Sequence, residues 1–133
     1  MNDSETRDLI RRRAGNRCEY CLLRQEHSHL THHLEHIVAK QHGGPDELTN
    51  LALACHRCNL RKGPNLTGID PLTGAISTLF HPRRDRWQEH FWVDEMRIEG
   101  TTPIGRATVN VLAMNDARRL DLRRELLLRG EFP

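Results

Sequence analysis

The sequence predicts an α+β protein in which two short strands and a helix are enclosed by two pairs of cysteines. Three observations support this class: the spacing of the four cysteines, a strand–loop–strand–helix order between them, and helical periodicity near both ends. A chain of 133 residues suits one domain. We therefore expect a single domain at 1–133, with its core at 18–63 and a C-terminal extension at 64–133.

The composition indicates a globular protein with a small core. Hydrophobic residues make up 37% of the chain and charged residues 29%, with a mean hydropathy of −0.68. Metal binding is one way to stabilise a core of this size. No apolar run approaches the roughly 18 residues of a membrane span, and the first residues lack the apolar core of a signal peptide. We expect a cytoplasmic, reducing location and no membrane partner.

The formal net charge of +2 says little about partners, but the arginines are clustered. The planar guanidinium suits phosphate groups. A solvated helix face explains any one cluster equally well. The clusters are Arg11, Arg12 and Arg13; Arg57, Arg61 and Lys62; Arg83, Arg84 and Arg86; and Arg118, Arg119, Arg123 and Arg124.

The four cysteines form two C-x2-C pairs, Cys18 with Cys21 and Cys55 with Cys58. Two such pairs supply the four thiolates of a tetrahedral zinc site, and a reducing compartment disfavours disulfides. All four ligand positions would be protein, so this Zn²⁺ would stabilise the fold and take no part in catalysis. Redox chemistry is the alternative, but it needs only one pair and a strand-to-helix context that is absent here.

Local patterns predict the elements in chain order. A turn at Gly43-Gly44-Pro45 joins the two strands, and Gly63-Pro64 ends the second helix. Residues 65–78 are rich in turn formers and read as a loop. Thr102 and Pro103 suit the N-cap and first position of a helix. The expected elements are helices at 4–14 and 58–62, strands at 30–38 and 50–54, one or two short strands within 90–100, and one or two helices from 103 to 130.

Taken together, LEHIVAK, a following Gly-Gly, LTNL and CHRCNLRKG resemble the HNH endonuclease family over about residues 18–63. The resemblance implies a ββα-metal (His-Me finger) core, to which the helical periodicity described above adds an N-terminal helix and a C-terminal helical region. It also implies metal-dependent hydrolysis of DNA phosphodiester bonds.

The resemblance assigns roles to individual residues. His36 occupies the place of the general base, and its ordinary pKa of about 6.5 leaves it partly neutral near pH 7. Glu35 and Asn59 occupy the places of ligands to a catalytic divalent ion. Asn50 occupies the place of the asparagine that braces the loop between the strands, and all four are therefore candidate catalytic residues.

Two departures from the usual family pattern affect the metal. The acid is Glu35 where Asp is more common, and the last position is Asn59 where His is more common. Two oxygen ligands favour Mg²⁺ or Mn²⁺ over zinc at this second site. His33 shares a strand face with Glu35, which makes it a candidate third ligand. On the following helix, Arg61 and Lys62 are candidate contacts to the DNA backbone.

Other functions remain open from the sequence. A zinc-stabilised DNA-binding module that does not cleave is the main alternative, and a protein-interaction domain is a third. Glu35, His36, Asn50 and Asn59 occurring together favour the nuclease, since a binding module needs none of that set. One active site cuts one strand, so a double-strand break would need a homodimer or two visits.

Overall fold

The computed structural model describes residues 4–133, which form α-helices and short antiparallel strands in two compact units. One unit comprises residues 4–66 and 81–85, and the other comprises residues 67–80 and 86–133. The mixture of helix and strand agrees with the α+β class. One domain over 1–133 stays a prediction. None of the helices within residues 4–133 has the length and apolar character that a membrane crossing needs.

The first unit contains a helix, a two-stranded antiparallel sheet and a second helix. In the sheet, His36 lies opposite Leu51 and His33 lies opposite Ala54. The strands are shorter than expected: bends and irregular residues flank the first strand, and a single-turn 3-10 helix, Leu48–Asn50, directly precedes the second. The elements are α1 (Ser4–Arg13), β1 (His33–His36), β2 (Leu51–Ala54) and α2 (His56–Lys62).

Helix α1 supports the sheet from the side of β2. Ile10, the buried residue of α1, packs with Leu51 and Leu53 in a small apolar cluster. The Arg13 guanidinium donates hydrogen bonds to the carbonyl oxygens of Leu48 and Leu51, at 3.0 and 2.5 Å. The thin apolar stripe of α1 thus positions the strand that leads into α2.

The connection between β1 and β2 depends on close packing at Gly44. A Cβ atom at this position would lie 1.7 Å from the Val38 carbonyl oxygen, so only glycine fits. The buried Asn50 side chain completes the loop. Its Oδ1 accepts from the Val38 N–H at 2.9 Å, and its Nδ2 donates to the oxygens of Val38 and Pro45 at 3.0 and 2.9 Å. These bonds are the ones that a loop-bracing asparagine makes.

The second unit contains two hairpins and three helices. Its elements are β3 (Thr67–Ile69), β4 (Ile76–Thr78), α3 (Trp87–His90), β5 (Phe91–Asp94), β6 (Arg97–Gly100), α4 (Pro103–Val111) and α5 (Ala117–Leu128). The loop predicted for residues 65–78 is wrong, because β3 and β4 pair as an antiparallel hairpin in which Ile69 lies opposite Ile76. Strands of three residues are too short for an alternating pattern to reveal them. The hairpin expected within residues 90–100 is confirmed as β5 and β6.

The predicted start of α4 is also confirmed. The Thr102 hydroxyl accepts a hydrogen bond from the Gly105 N–H at 3.0 Å, and Pro103 is the first helical residue. A Cβ on Gly105 would lie 1.9 Å from the His90 carbonyl oxygen, so glycine lets α4 approach α3 closely. Helix α5 is a separate helix with its own cap, Asp116, which accepts from the Arg119 N–H.

An ion pair between the buried Asp70 and the half-buried Arg106 connects the β3–β4 hairpin to α4. The Asp70 carboxylate receives two hydrogen bonds of 2.9 Å from Arg106, one from the Leu72 N–H and one from the Thr73 hydroxyl. These donors, with Arg106 first, lower the pKa of Asp70 to about 2. Because this pKa lies below that of an unfolded aspartate, the ionised carboxylate stabilises the second unit above about pH 4.

We predict that Asp70→Asn lowers the melting temperature at pH 7, because Arg106 loses its charged partner. The contribution of Asp70 disappears as the pH falls towards 2, so the difference between wild type and variant should shrink over that range. Thermal unfolding followed by circular dichroism between pH 2 and pH 7 measures this difference. The exposed Asp94→Asn is the matched control. A difference in melting temperature that is constant with pH would contradict the assignment.

Candidate active site and metal centre

The four cysteines predicted to bind zinc meet in one buried cluster. One ligand atom from each of Cys18, Cys21, Cys55 and Cys58 lies within 4.8 Å of all the others, and none of the four forms a disulfide. The Sγ atoms of Cys21 and Cys55 are 3.7 Å apart. In each pair the second cysteine donates its N–H to the Sγ of the first, at 3.5 Å. Both pairs thus form turns that direct their sulfur atoms inwards.

This cluster fits a structural zinc ion. Zn–S bonds of about 2.3 Å in tetrahedral geometry place sulfur atoms about 3.8 Å apart, close to the separation of Cys21 and Cys55. Burial raises the pKa of the Cys18 and Cys58 thiols well above the ordinary range, so their thiolates need a compensating cation. Within residues 4–133 no other group of three or more His, Cys, Asp or Glu side chains comes together in this way.

Glu35, the expected metal ligand on β1, lies in a buried polar network. Its Oε1 is 2.7 Å from the Lys62 ammonium and accepts a hydrogen bond from the Tyr20 hydroxyl at 3.0 Å. Lys62 also donates to the Ile37 carbonyl oxygen at 2.8 Å. Burial raises the pKa of the Glu35 carboxyl, and the attraction of Lys62 opposes that rise. Tyr20 comes from the first cysteine turn and Lys62 from the helix that follows the second.

One oxygen of Glu35 remains available for a cation. Its Oε2 is buried and makes no hydrogen bond with any described residue, an arrangement that is costly for a carboxylate. A cation at this oxygen would remove that cost. The half-buried Asn59 lies on α2, one turn before Lys62. Glu35 and Asn59 each carry a side-chain oxygen of the kind that a hard divalent ion prefers, and their role as ligands stays a prediction. The Lys62 ammonium already neutralises part of the carboxylate charge.

His36, the expected general base, has a partner that the motif did not reveal. Its Nε2 lies 2.5 Å from Oδ1 of Asp46, a residue of the loop after Gly44. The bond with His36 is the main reason that the pKa of Asp46 is lowered, and Lys40 adds to it from 3.5 Å. An ionised carboxylate only accepts hydrogen bonds, so Nε2 carries the proton and Nδ1 of the neutral ring is the basic nitrogen.

Two histidines, one in β1 and one just before it, make contacts that the sequence motifs did not indicate. Nε2 of His33 lies 3.3 Å from Nδ1 of His56, the first residue of α2, and a role of His33 as a third ligand beside Glu35 stays a prediction. His32 is buried, with its Nε2 2.9 Å from the Leu23 carbonyl oxygen. Neither pairing could be foreseen, because both partners are distant in sequence.

The prediction that Lys62 contacts DNA does not fit the structure. Its side chain is buried and bonded to Glu35 and Ile37, so it has no free ammonium to offer a phosphate. Arg61, by contrast, is exposed. In the second unit, Arg119 and Arg123 of the fourth basic cluster are also buried, and they donate to backbone carbonyl oxygens. These two arginines therefore stabilise the fold through their guanidinium groups.

Comparison with known proteins supports the resemblance drawn from the motifs. The model of the HNH endonuclease family matches residues 18–65, from the first cysteine of the cluster to just beyond α2. This match confirms the resemblance over that segment and indicates nuclease-type activity, since HNH nucleases act on DNA. No curated protein and no solved structure gave a significant match to the chain.

We predict that the purified protein contains one tightly held zinc per chain and that Cys58→Ser loses it. Structural zinc contributes about 10–16 kcal/mol in small finger peptides, more than a typical domain can lose and stay folded. Elemental analysis measures the metal, and far-ultraviolet circular dichroism with and without a chelator measures the fold. Ser28→Ala, which changes a side chain by one atom outside the cysteine cluster, is the control and should keep the zinc. A metal-free protein of unchanged stability would contradict the zinc site.

Proposed function

We propose that the chain is a metal-dependent HNH endonuclease that hydrolyses phosphodiester bonds in DNA. The pairing of His36 with Asp46 is the observation that best supports this function, because it supplies an oriented base next to Glu35 within the segment that matches the family. Hydrolysis needs a base for the attacking water, a cation to neutralise charge on the phosphate, and stabilisation of the leaving oxygen. On this proposal β1, β2 and α2 form the ββα-metal core.

His36 acts on the attacking water. Its Nδ1 accepts the proton of the water as the oxygen attacks phosphorus, and the ring becomes an imidazolium. Asp46 holds the Nε2–H, which fixes the ring orientation and stabilises the positive charge that develops. Asp46 is thus a positioning residue in this proposal, and His36 is the catalytic base.

Glu35 and Asn59 would hold the divalent ion, Glu35 through its unpartnered Oε2. When bound, Mg²⁺ or Mn²⁺ supplies Lewis-acid stabilisation of the phosphate and the leaving oxygen. Lys62 and Tyr20 fix the carboxylate from the opposite oxygen, so Oε2 keeps one orientation. The oxygen character of both ligands favours a hard ion over a second zinc.

DNA would meet this unit through its exposed cations. Arg61 projects from α2, the helix that also carries Asn59, so it can bind a phosphate near the reacting one. Contacts of this kind position the duplex without reading its sequence. Cleavage of both strands would then require two copies of the chain or two successive binding events.

The ion pair between Glu35 and Lys62 favours one competing function, a zinc-stabilised module that binds DNA without cutting it. The Lys62 ammonium lies 2.7 Å from the Glu35 carboxylate. It supplies a positive charge at the place where the divalent ion would otherwise be the only cation. If this ion pair persists on DNA, Glu35 binds metal poorly. Cleavage and binding must therefore be measured separately.

We predict that the wild-type protein nicks supercoiled plasmid with Mg²⁺ or Mn²⁺ and not with EDTA. In His36→Ala the rate should fall by about 10²- to 10⁴-fold, the usual contribution of a general base. Gel electrophoresis of the plasmid over time measures both rates. His29→Ala, which changes an exposed histidine outside β1, is the matched control.

The outcomes separate the two functions. Cleavage that persists undiminished in His36→Ala excludes His36 as the base. A wild-type protein that retards plasmid on a gel but cuts it with neither ion supports the binding module. The zinc content of each variant, measured alongside, shows whether a loss of cleavage reflects loss of the fold.

We further predict that Asp46→Asn lowers the turnover rate by about 10- to 100-fold, the size typical of partners that orient an active-site ligand. An amide can accept or donate to Nε2, so the ring is no longer held in one tautomer. The half-saturating DNA concentration should change little, because Asp46 does not face the phosphate in this proposal. Asp46→Glu should restore part of the rate. Equal activity of Asp46→Asn and wild type would exclude the positioning role.

A further inference from the structure

The imidazoles of His33 and His56 face each other at the edge of the first unit. Nε2 of His33 and Nδ1 of His56 are 3.3 Å apart, with the ring centroids at 5.5 Å and the ring planes inclined by 35°. His56 is exposed and His33 is half-buried, so an ion from solvent can reach both nitrogens. The proposed nuclease chemistry uses neither residue.

The separation of the two nitrogens is the one that a shared metal ion requires. Zn–N bonds of about 2.0–2.1 Å in tetrahedral geometry place two ligand nitrogens about 3.3–3.4 Å apart. A direct hydrogen bond between neutral rings explains the same distance, with both rings carrying their proton on the same nitrogen, either Nε2 or Nδ1. In the hydrogen bond one of these nitrogens carries the proton, and a metal ion that replaces this proton would bind the lone pairs of both.

The backbone holds both histidines in place before any ion binds. His33 lies opposite Ala54 in the β1–β2 sheet, and Ala54, Cys55 and His56 are consecutive. The Cys55 sulfur belongs to the buried cysteine cluster, which fixes the start of α2. A site whose ligands are already ordered loses little conformational entropy on binding.

We propose that His33 and His56 form a second metal site that takes a borderline transition-metal ion, Zn²⁺ above all, with water in the remaining positions. Imidazole nitrogen suits ions of this class, whereas Mg²⁺ prefers oxygen ligands. The site is separate from the cysteine cluster, whose four thiolates already complete a tetrahedron. It is also separate from the oxygen ligands Glu35 and Asn59, and it does not depend on whether the chain cleaves DNA.

Titration calorimetry with Zn²⁺ tests the site in the full chain, after dialysis has removed loosely held metal. We expect the wild type to bind one zinc beyond the tightly held one. His33→Ala and His56→Ala should each weaken this second zinc by about 10-fold or more, since even indirect partners of a metal ligand change affinity by that much. His29→Ala, an exposed histidine elsewhere, should leave it unchanged. Mg²⁺ should give no heat at this site.

A second measurement covers the case in which a variant folds poorly. In the wild type, Zn²⁺ should shift the imidazole nuclear magnetic resonances of His33 and His56 and leave those of His29 and His42 in place. No second zinc in the wild type, equal affinity in a His33→Ala/His56→Ala double variant, or shifts at other histidines would each overturn the proposal.

Discussion

The convergence of four cysteine sulfurs is the constraint on which the first unit depends. Cys18 and Cys21 precede β1 by a dozen residues and Cys55 and Cys58 open α2, so the cluster closes a loop that contains the whole sheet. The apolar cluster around Ile10, by comparison, is small. A cross-link that joins distant segments restricts the unfolded chain, and a metal that does so also adds its binding energy to folding.

The same convergence arranges the polar groups of the candidate site. The first cysteine turn brings Tyr20 beneath β1, and the second begins the helix that carries Asn59 and Lys62. Glu35 therefore receives its partners from both ends of the closed loop. The cysteine ligands of the structural zinc take no part in the proposed chemistry. The positions of Glu35 and its partners nevertheless depend on the cysteine cluster.

The part of this arrangement that rests on local pattern could be predicted from the sequence. C-x2-C spacing predicts the cluster, Gly-Gly and Asn50 predict the loop, and Thr102 with Pro103 predicts the start of α4. The strand–strand–helix order follows from the same segment. Each of these signals lies within a few residues and reflects a conformational preference or the geometry of one ligand set.

What could not be predicted depends on contacts between distant residues. Lys62 has the charge of a phosphate ligand, and only its burial against Glu35 and Ile37 shows otherwise. Asp46 belongs to no recognisable motif, and only the fold of the loop after Gly44 brings it to His36.

X-ray absorption at the zinc edge of the purified one-zinc protein tests the central constraint most directly. The account predicts four sulfur ligands at about 2.3 Å; a shell containing nitrogen or oxygen would contradict it.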